Sequence, residues 1–392
     1  MIAYDKKMLN NLISIDHAKY FKRCGVIDAA DLTAIGKSKA PAYHRTNIFI
    51  RVGVLFLTLL LAFSSCGLLI LFAGFDSFFE AFKIALLVFS GITILVLEHF
   101  IKSKNHYATG VDDGLLYFAF FAFALFAGLS ISPDSNFKFI VLYGLLTVFS
   151  FAAFIRYTDA LAALVSFGSF LAMCFYIVLL TGTISKLIMP FAIFIISLFA
   201  YLNIHTKSSL FKCRFYIKGM EWLQWASLLS LYFSVNYFVV REAGVDFFSM
   251  ILKPGEEIPL YFLFYFLTLT IPLVYVFFGI KNKDSIRLNC GLILIAVSIA
   301  TIRYYHQLMP IEMAFILSGI VLLAIAALLF SYLKTPRHGF TLAADKSNRN
   351  WFSKDAEAIL IAQSMAHQHP QNVTDQAMGG GKFGGGGAGE SF

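Results

Sequence analysis

Ten apolar runs, each near the length of a bilayer-crossing helix, follow one another between residues 47 and 333. A hydrocarbon core roughly 30 Å thick takes about 20 helical residues to cross. The runs fall at 47–75, 82–100, 114–131, 139–155 and 160–180, then at 187–204, 222–240, 260–280, 288–302 and 311–333. None shows the in-and-out alternation of a membrane β-barrel strand. The expected fold class is therefore all-α, a polytopic transmembrane helix bundle of about ten spans. Composition agrees, with 59% of the 392 residues hydrophobic and 14% charged, against about 25% charged in soluble chains. A soluble globule would lack the polar surface to cover so much apolar mass, which excludes a soluble enzyme and a disordered chain.

Basic residues set the expected orientation, because cytoplasmic loops carry an excess of Lys and Arg. With the N-terminus in the cytoplasm, 25 of the 31 Lys and Arg residues fall on that side. The opposite side keeps Lys83, Lys138, Lys186, Arg241, Lys253 and Arg303. Adding or removing one span scrambles this bias, so both termini are expected in the cytoplasm. The net charge of +8 is then topological, and it favours anionic lipid headgroups rather than nucleic acid.

Three parts follow. Residues 1–46 are polar and lysine-rich, lack the apolar core of a cleavable signal peptide, and read as a cytosolic helical hairpin. Gly25 is placed to close its first helix, Asp28 to cap the second and Gly36 to end it; Leu9, Leu12, Ile13 and Ala18 give the first helix an apolar face. Residues 47–333 form the bundle. Residues 334–392 form a cytosolic tail, in which Ser353 caps a short amphipathic helix carrying Ile359, Ala362, Met365 and Ala366 on one face, before a glycine-rich end too costly in backbone entropy to order. Both soluble ends are candidate docking elements for a protein partner.

Ionisable groups inside a membrane are costly, so each is a candidate functional residue. Glu98, at the end of the second run, and Asp112 and Asp113, at the start of the third, form the most polar stretch. They could hold a proton or cation at the cytoplasmic mouth. They also suit plain structural roles, with Asp112 and Asp113 where a helix cap belongs and Glu98 four residues before Lys102. Arg156 reads as a topology anchor and Asp159 as a cap. On the outer side, Arg303 and His306 share a helical face and precede Glu312, as an external gate or as a solvated patch. Deeper in the membrane, Ser65 lies among small residues suited to close packing. Thr270 and Pro272 lie in the eighth run, where the proline removes a backbone hydrogen bond. Such breaks can expose carbonyls to an ion or substrate.

The five cysteines, Cys24, Cys66, Cys174, Cys213 and Cys290, form no C-x-x-C pair, and His367 and His369 in the tail make no metal site. No P-loop, Rossmann glycine pattern, H-E-x-x-H or G-x-S-x-G occurs, so no cofactor, metal or catalytic residue is expected.

The segment Cys24-Gly25-Val26-Ile27-Asp28-Ala29-Ala30-Asp31-Leu32, followed by many spans and a basic exit from the last, resembles a layout found in bacterial multi-pass inner-membrane proteins. The closing Gly-Gly-Gly-Lys-Phe-Gly-Gly-Gly-Gly-Ala-Gly-Glu-Ser-Phe is similar to the glycine tails of some of them. The resemblance implies a location and no activity. Three functional classes stay open: a transporter-like bundle for a small solute or ion, built of two inverted five-helix repeats; a scaffold or sensor recruiting partners through its cytosolic ends; and an enzyme acting on lipid, with Glu98, Asp112 and Asp113 as its acids.

Overall fold

The computed structural model describes residues 2–23, 27–39, 43, 45–72, 78–130, 136–208, 215–248, 257–306 and 310–333. The tail expected at 334–392, with its amphipathic helix, lies outside the described residues, as do Cys24, Gly25 and Cys213. Among the described residues the chain is helical, without strands.

Two short helices come first, α1 (Lys6–Arg23) and α2 (Ala29–Ser38). Asp28 precedes α2 and its N–H donates to Asp31 Oδ2 at 3.2 Å, the reciprocal bond of a capping box. Gly36 does not end α2; the helix runs through it to Ser38, closed by the Lys39 N–H on the Ile35 carbonyl. A Cβ built on that glycine would meet nothing within 4 Å, so no close approach at that point requires glycine.

The long helices follow as α3 (Ile48–Phe72), α4 (Phe78–Lys104), α5 (Val111–Ser130), α6 (Asn136–Tyr157), α7 (Ala160–Leu179) and α8 (Ser185–Ser208). Then come α9 (Ile217–Val235), α10 (Tyr237–Phe248), α11 (Tyr261–Lys281), α12 (Ser285–His306) and α13 (Ile311–Leu333). Eight of them are long and apolar enough to cross a membrane: α3 to α8, α11 and α12. This is a multi-pass membrane protein. In α13, the apolar stretch among residues whose side chains are described is Gly319–Leu328.

Two of the ten expected runs, 222–240 and 311–333, are not among these eight. The run at 222–240 is not a single helix: α9 and α10 meet at Asn236 with a bend of 70°. Pro272, by contrast, sits inside an uninterrupted α11. Its missing N–H frees the carbonyl four residues back, that of Thr268, and the Ser298 hydroxyl donates to that carbonyl at 2.7 Å. A side chain from α12 thus replaces the lost helical bond.

Sequence neighbours pack as antiparallel pairs, α4 with α5, α6 with α7, α8 with α9 and α11 with α12. Two cores result. One joins α1 to the ends of α4 to α7 through Tyr4, Leu9, Leu97, Ile101 and Tyr157. The other joins α8 to α12 through Tyr201, Leu228, Tyr232, Tyr237 and Leu294. The end of the bundle against which α1 packs is here the docked face, and the opposite end the far face.

Candidate functional site

At the docked face the sequence-singled carboxylates are all engaged. Asp113 takes a two-pronged ion pair from Arg51 at the start of α3, with Nε to Oδ2 at 2.5 Å and Nη2 to Oδ1 at 2.8 Å. Asp112 folds back over the turn before α5 and accepts the N–H groups of Ala108, Thr109 and Gly110 at 2.6, 2.8 and 3.1 Å. Gly110 is the residue that allows this turn. Its φ is +99°, and a Cβ there would stand 2.3 Å from the Arg51 carbonyl oxygen. Glu98 accepts from Arg156 Nε at 2.5 Å and from the Tyr157 hydroxyl at 3.3 Å, with Lys102 Nζ at 3.5 Å.

The N-terminal segment covers this group. The Ala3 N–H donates to the Arg156 carbonyl at 2.8 Å. Tyr4 wedges edge-on between Tyr43 and Tyr107, at ring distances of 5.5 and 5.0 Å. Burial pushes the Tyr4 phenol well above its ordinary range, and Asp112, Asp113 and Asp159 push it the same way. Asp159 caps α7 through the Ala162 N–H at 2.9 Å; burial raises its carboxyl, while that bond draws it down. The arrangement is a hydrogen-bonded seal, with each carboxylate already satisfied by this chain.

The break between α9 and α10 is built differently. Asn236, 1% exposed, donates from Nδ2 to the Tyr232 hydroxyl at 2.8 Å and to Thr301 Oγ1 at 3.3 Å. Its Oδ1 accepts the N–H groups of Phe238 and Val239 at 3.0 and 3.4 Å, which caps α10. The Tyr237 N–H goes to Thr268 Oγ1 at 3.1 Å, and Tyr232 and Ser298 share a hydroxyl bond at 2.8 Å. In an unbroken helix, the N–H groups of 237, 238 and 239 would serve the carbonyls of Phe233, Ser234 and Val235. Here those carbonyls lose their helical donors.

Beside the break lies a cavity of about 630 Å³, within the range of small-molecule sites. It is walled by the far-face halves of α6 to α9 and by α10 and α11, with Phe175, Phe233, Phe247 and Phe264 among its apolar lining and Ser230 and Ser234 among its hydroxyls. Phe175 of α7 and Phe247 of α10 meet edge-on at 5.0 Å. Lys186, exposed at the start of α8, is the one charged side chain among the described residues that line it. On its other side α10 carries a polar cluster. Tyr237 donates to Glu257, Arg241 Nη1 donates to the Tyr237 hydroxyl at 2.8 Å, and the Tyr305 hydroxyl donates to Glu242 at 2.8 Å.

The remaining sequence candidates fall elsewhere. Ser65 faces outward on α3 and returns its hydroxyl to the Leu61 carbonyl at 2.7 Å. Thr270 is half-buried, two residues from Thr268, whose hydroxyl enters the network. Arg303 is half-buried in the last turn of α12 and Glu312 is exposed at the start of α13. The His306 side chain lies outside the described residues. Sequence reading missed Asn236, Tyr232 and Ser298, and it placed Lys186 only among the outer-side charges. An asparagine four residues after a tyrosine inside an apolar run was the available signal.

Replacing Thr268 by valine leaves the Tyr237 N–H without its acceptor. It is expected to lower stability by about 1 kcal/mol, read as thermal unfolding in detergent, with Thr268→Ser near wild type.

Among the described residues no group of His, Cys, Asp and Glu could hold a metal ion. No family model matches this chain, and neither the curated proteins nor the solved structures contain a match.

Proposed function

We propose that this protein is a transporter-like bundle that takes a small solute from the far face, with about ten spans and both termini in the cytoplasm. The observation that carries the reading is the break at Asn236, where a buried polar network and a cavity adjoin. Backbone that leaves its helix inside a membrane is tolerated where it is buried in protein or lines a cavity. Discontinuous helices in that setting are how transporters present polar groups to a solute at depth. In this reading α9 and α10 together make one bent crossing, and α13 makes another. The docked face, which the basic residues mark as cytoplasmic, is sealed by α1 and by Tyr4, Tyr43 and Tyr107. The far face, which carries the cavity, is external.

Access tests it. In a cysteine-free background, Ser234→Cys is expected to react with a membrane-impermeant thiol reagent applied to the far face, while Ser65→Cys on the outer surface of α3 does not. Silence at Ser234→Cys, with the protein folded, removes the transport reading.

A second reading draws on the seal itself. A segment latched by Ala3 and Tyr4 suits a scaffold whose N-terminal hairpin presents α2 to a partner. Under it, deletion of residues 1–46 abolishes partner binding and leaves labelling at Ser234→Cys unchanged.

A further inference from the structure

The charge and shape of the cavity narrow its occupant. Its described lining holds one cation, Lys186, and no Asp or Glu. The nearest acids of α10 do not enter it; Glu242 is bonded to Tyr305, and neither Glu242 nor Asp246 is among the lining residues. A cationic solute would meet Lys186 with nothing to offset it, whereas an anionic group would be attracted. Away from that rim the walls are aromatic and aliphatic, with phenyl rings from α7, α9, α10 and α11.

Position orders these two parts. Lys186 lies at the start of α8, while Ile193, seven residues further along α8, lines deeper wall. At 1.5 Å per residue the cavity extends about 10 Å below the rim. Its deep side borders the C-terminal end of α9, where Phe233 and Ser234 line it. The site therefore has a cationic, anion-attracting end at the surface and a mainly apolar interior.

We propose that the cavity binds a single apolar chain that ends in an anionic group, with the anion at Lys186 and the chain among Phe175, Phe233 and Phe247. This deepens the transport reading and rests on it for direction of access, but binding itself does not require transport. A free medium-chain carboxylate and one acyl chain of an anionic phospholipid share this chemistry.

The test uses the full chain in phosphatidylcholine nanodiscs. The probe is a 12-carbon carboxylate with a diazirine at its terminal carbon, and adducts are located by mass spectrometry. Adducts are expected on residues of α7, α9 and α10 that line the cavity. Unlabelled dodecanoate should compete them away, and dodecyltrimethylammonium should not. Lys186→Glu is expected to weaken labelling about ten-fold, since an attraction becomes a repulsion at an exposed site, and Lys186→Arg to restore it. Because Lys186 is exposed, neither change threatens folding. A parallel arm carries the diazirine on one chain of phosphatidylglycerol. Cavity adducts from either probe support the proposal and say which source is used.

Adducts spread over lipid-facing residues such as Phe56 and Phe199, equal competition by the ammonium, or labelling indifferent to Lys186→Glu overturns it. Cavity adducts with no reaction at Ser234→Cys would keep the binding site and discard transport. Reaction at Ser234→Cys without cavity adducts would keep an access path and discard this ligand.

Discussion

Replacing Arg51 by methionine is expected to cost about 3 kcal/mol of stability, because it strands a buried carboxylate. Asp113 is 8% exposed, and its two oxygens are both held by the Arg51 guanidinium. The fork matches the carboxylate in two parallel bonds, which a single ammonium cannot do. Lys at this position should therefore recover only part of the loss. Arg51 itself is 26% exposed, so the pair is partly screened and the upper end of the usual range for broken buried pairs is not expected. The double replacement Arg51→Met with Asp113→Leu removes both charges, and should return most of the stability, since two apolar side chains meet without an orphaned ion. Thermal unfolding in detergent of the wild type, Arg51→Met, Asp113→Leu and the double variant gives the cycle. Near-equal loss in the single and double variants would show that the pair contributes through shape and not charge. The effect should be local to the α3–α5 contact, where Gly110 already brings the turn before α5 against the Arg51 carbonyl.

That ion pair illustrates what the sequence could and could not deliver. Asp113 stands out at once as an acid in an apolar run, and its spacing marks a helix start. Nothing in the linear pattern points to Arg51, 62 residues earlier, because the pairing depends on α3 crossing α5. Glu98 is similar: Lys102 is visible at i+4, but the closer partner, Arg156, comes from α6. Span positions were legible because apolar run length is a local property. The break at Asn236 was not, since Leu229 to Val240 stays apolar enough to read as one helix. It becomes a break because α11 and α12 supply Thr268, Ser298 and Thr301 at the matching height. Pro272 is the converse case: a proline in an apolar run suits either an opened helix or an ordinary span, and only the fold shows that Ser298 satisfies the carbonyl it frees, while the break lies between α9 and α10.

Asn236→Leu is the change expected to act most strongly on the second half of the bundle. It removes four hydrogen bonds at once: two donated to Tyr232 and Thr301, two accepted from the start of α10. Losing a helix cap costs about 1 kcal/mol, and leaving buried hydroxyls and N–H groups unpaired adds about 1–3 kcal/mol. A total near 3 kcal/mol is expected. The chain also has an escape: without its cap, the α10 backbone can return its N–H groups to the carbonyls of Phe233, Ser234 and Val235 and straighten toward a continuous helix. Straightening would draw Phe247 away from Phe175 and remove one wall of the cavity. Two measurements separate these outcomes. Unfolding in detergent reports the energetic loss. The distance between spin labels placed on α7 and near the end of α10 reports the bend. If Asn236→Leu destabilises the protein while the distance holds, α10 is positioned by its far-face contacts through Tyr237, Arg241 and Glu257. If the distance lengthens, the asparagine sets the bend, and the cavity exists because one buried amide has outcompeted a helix.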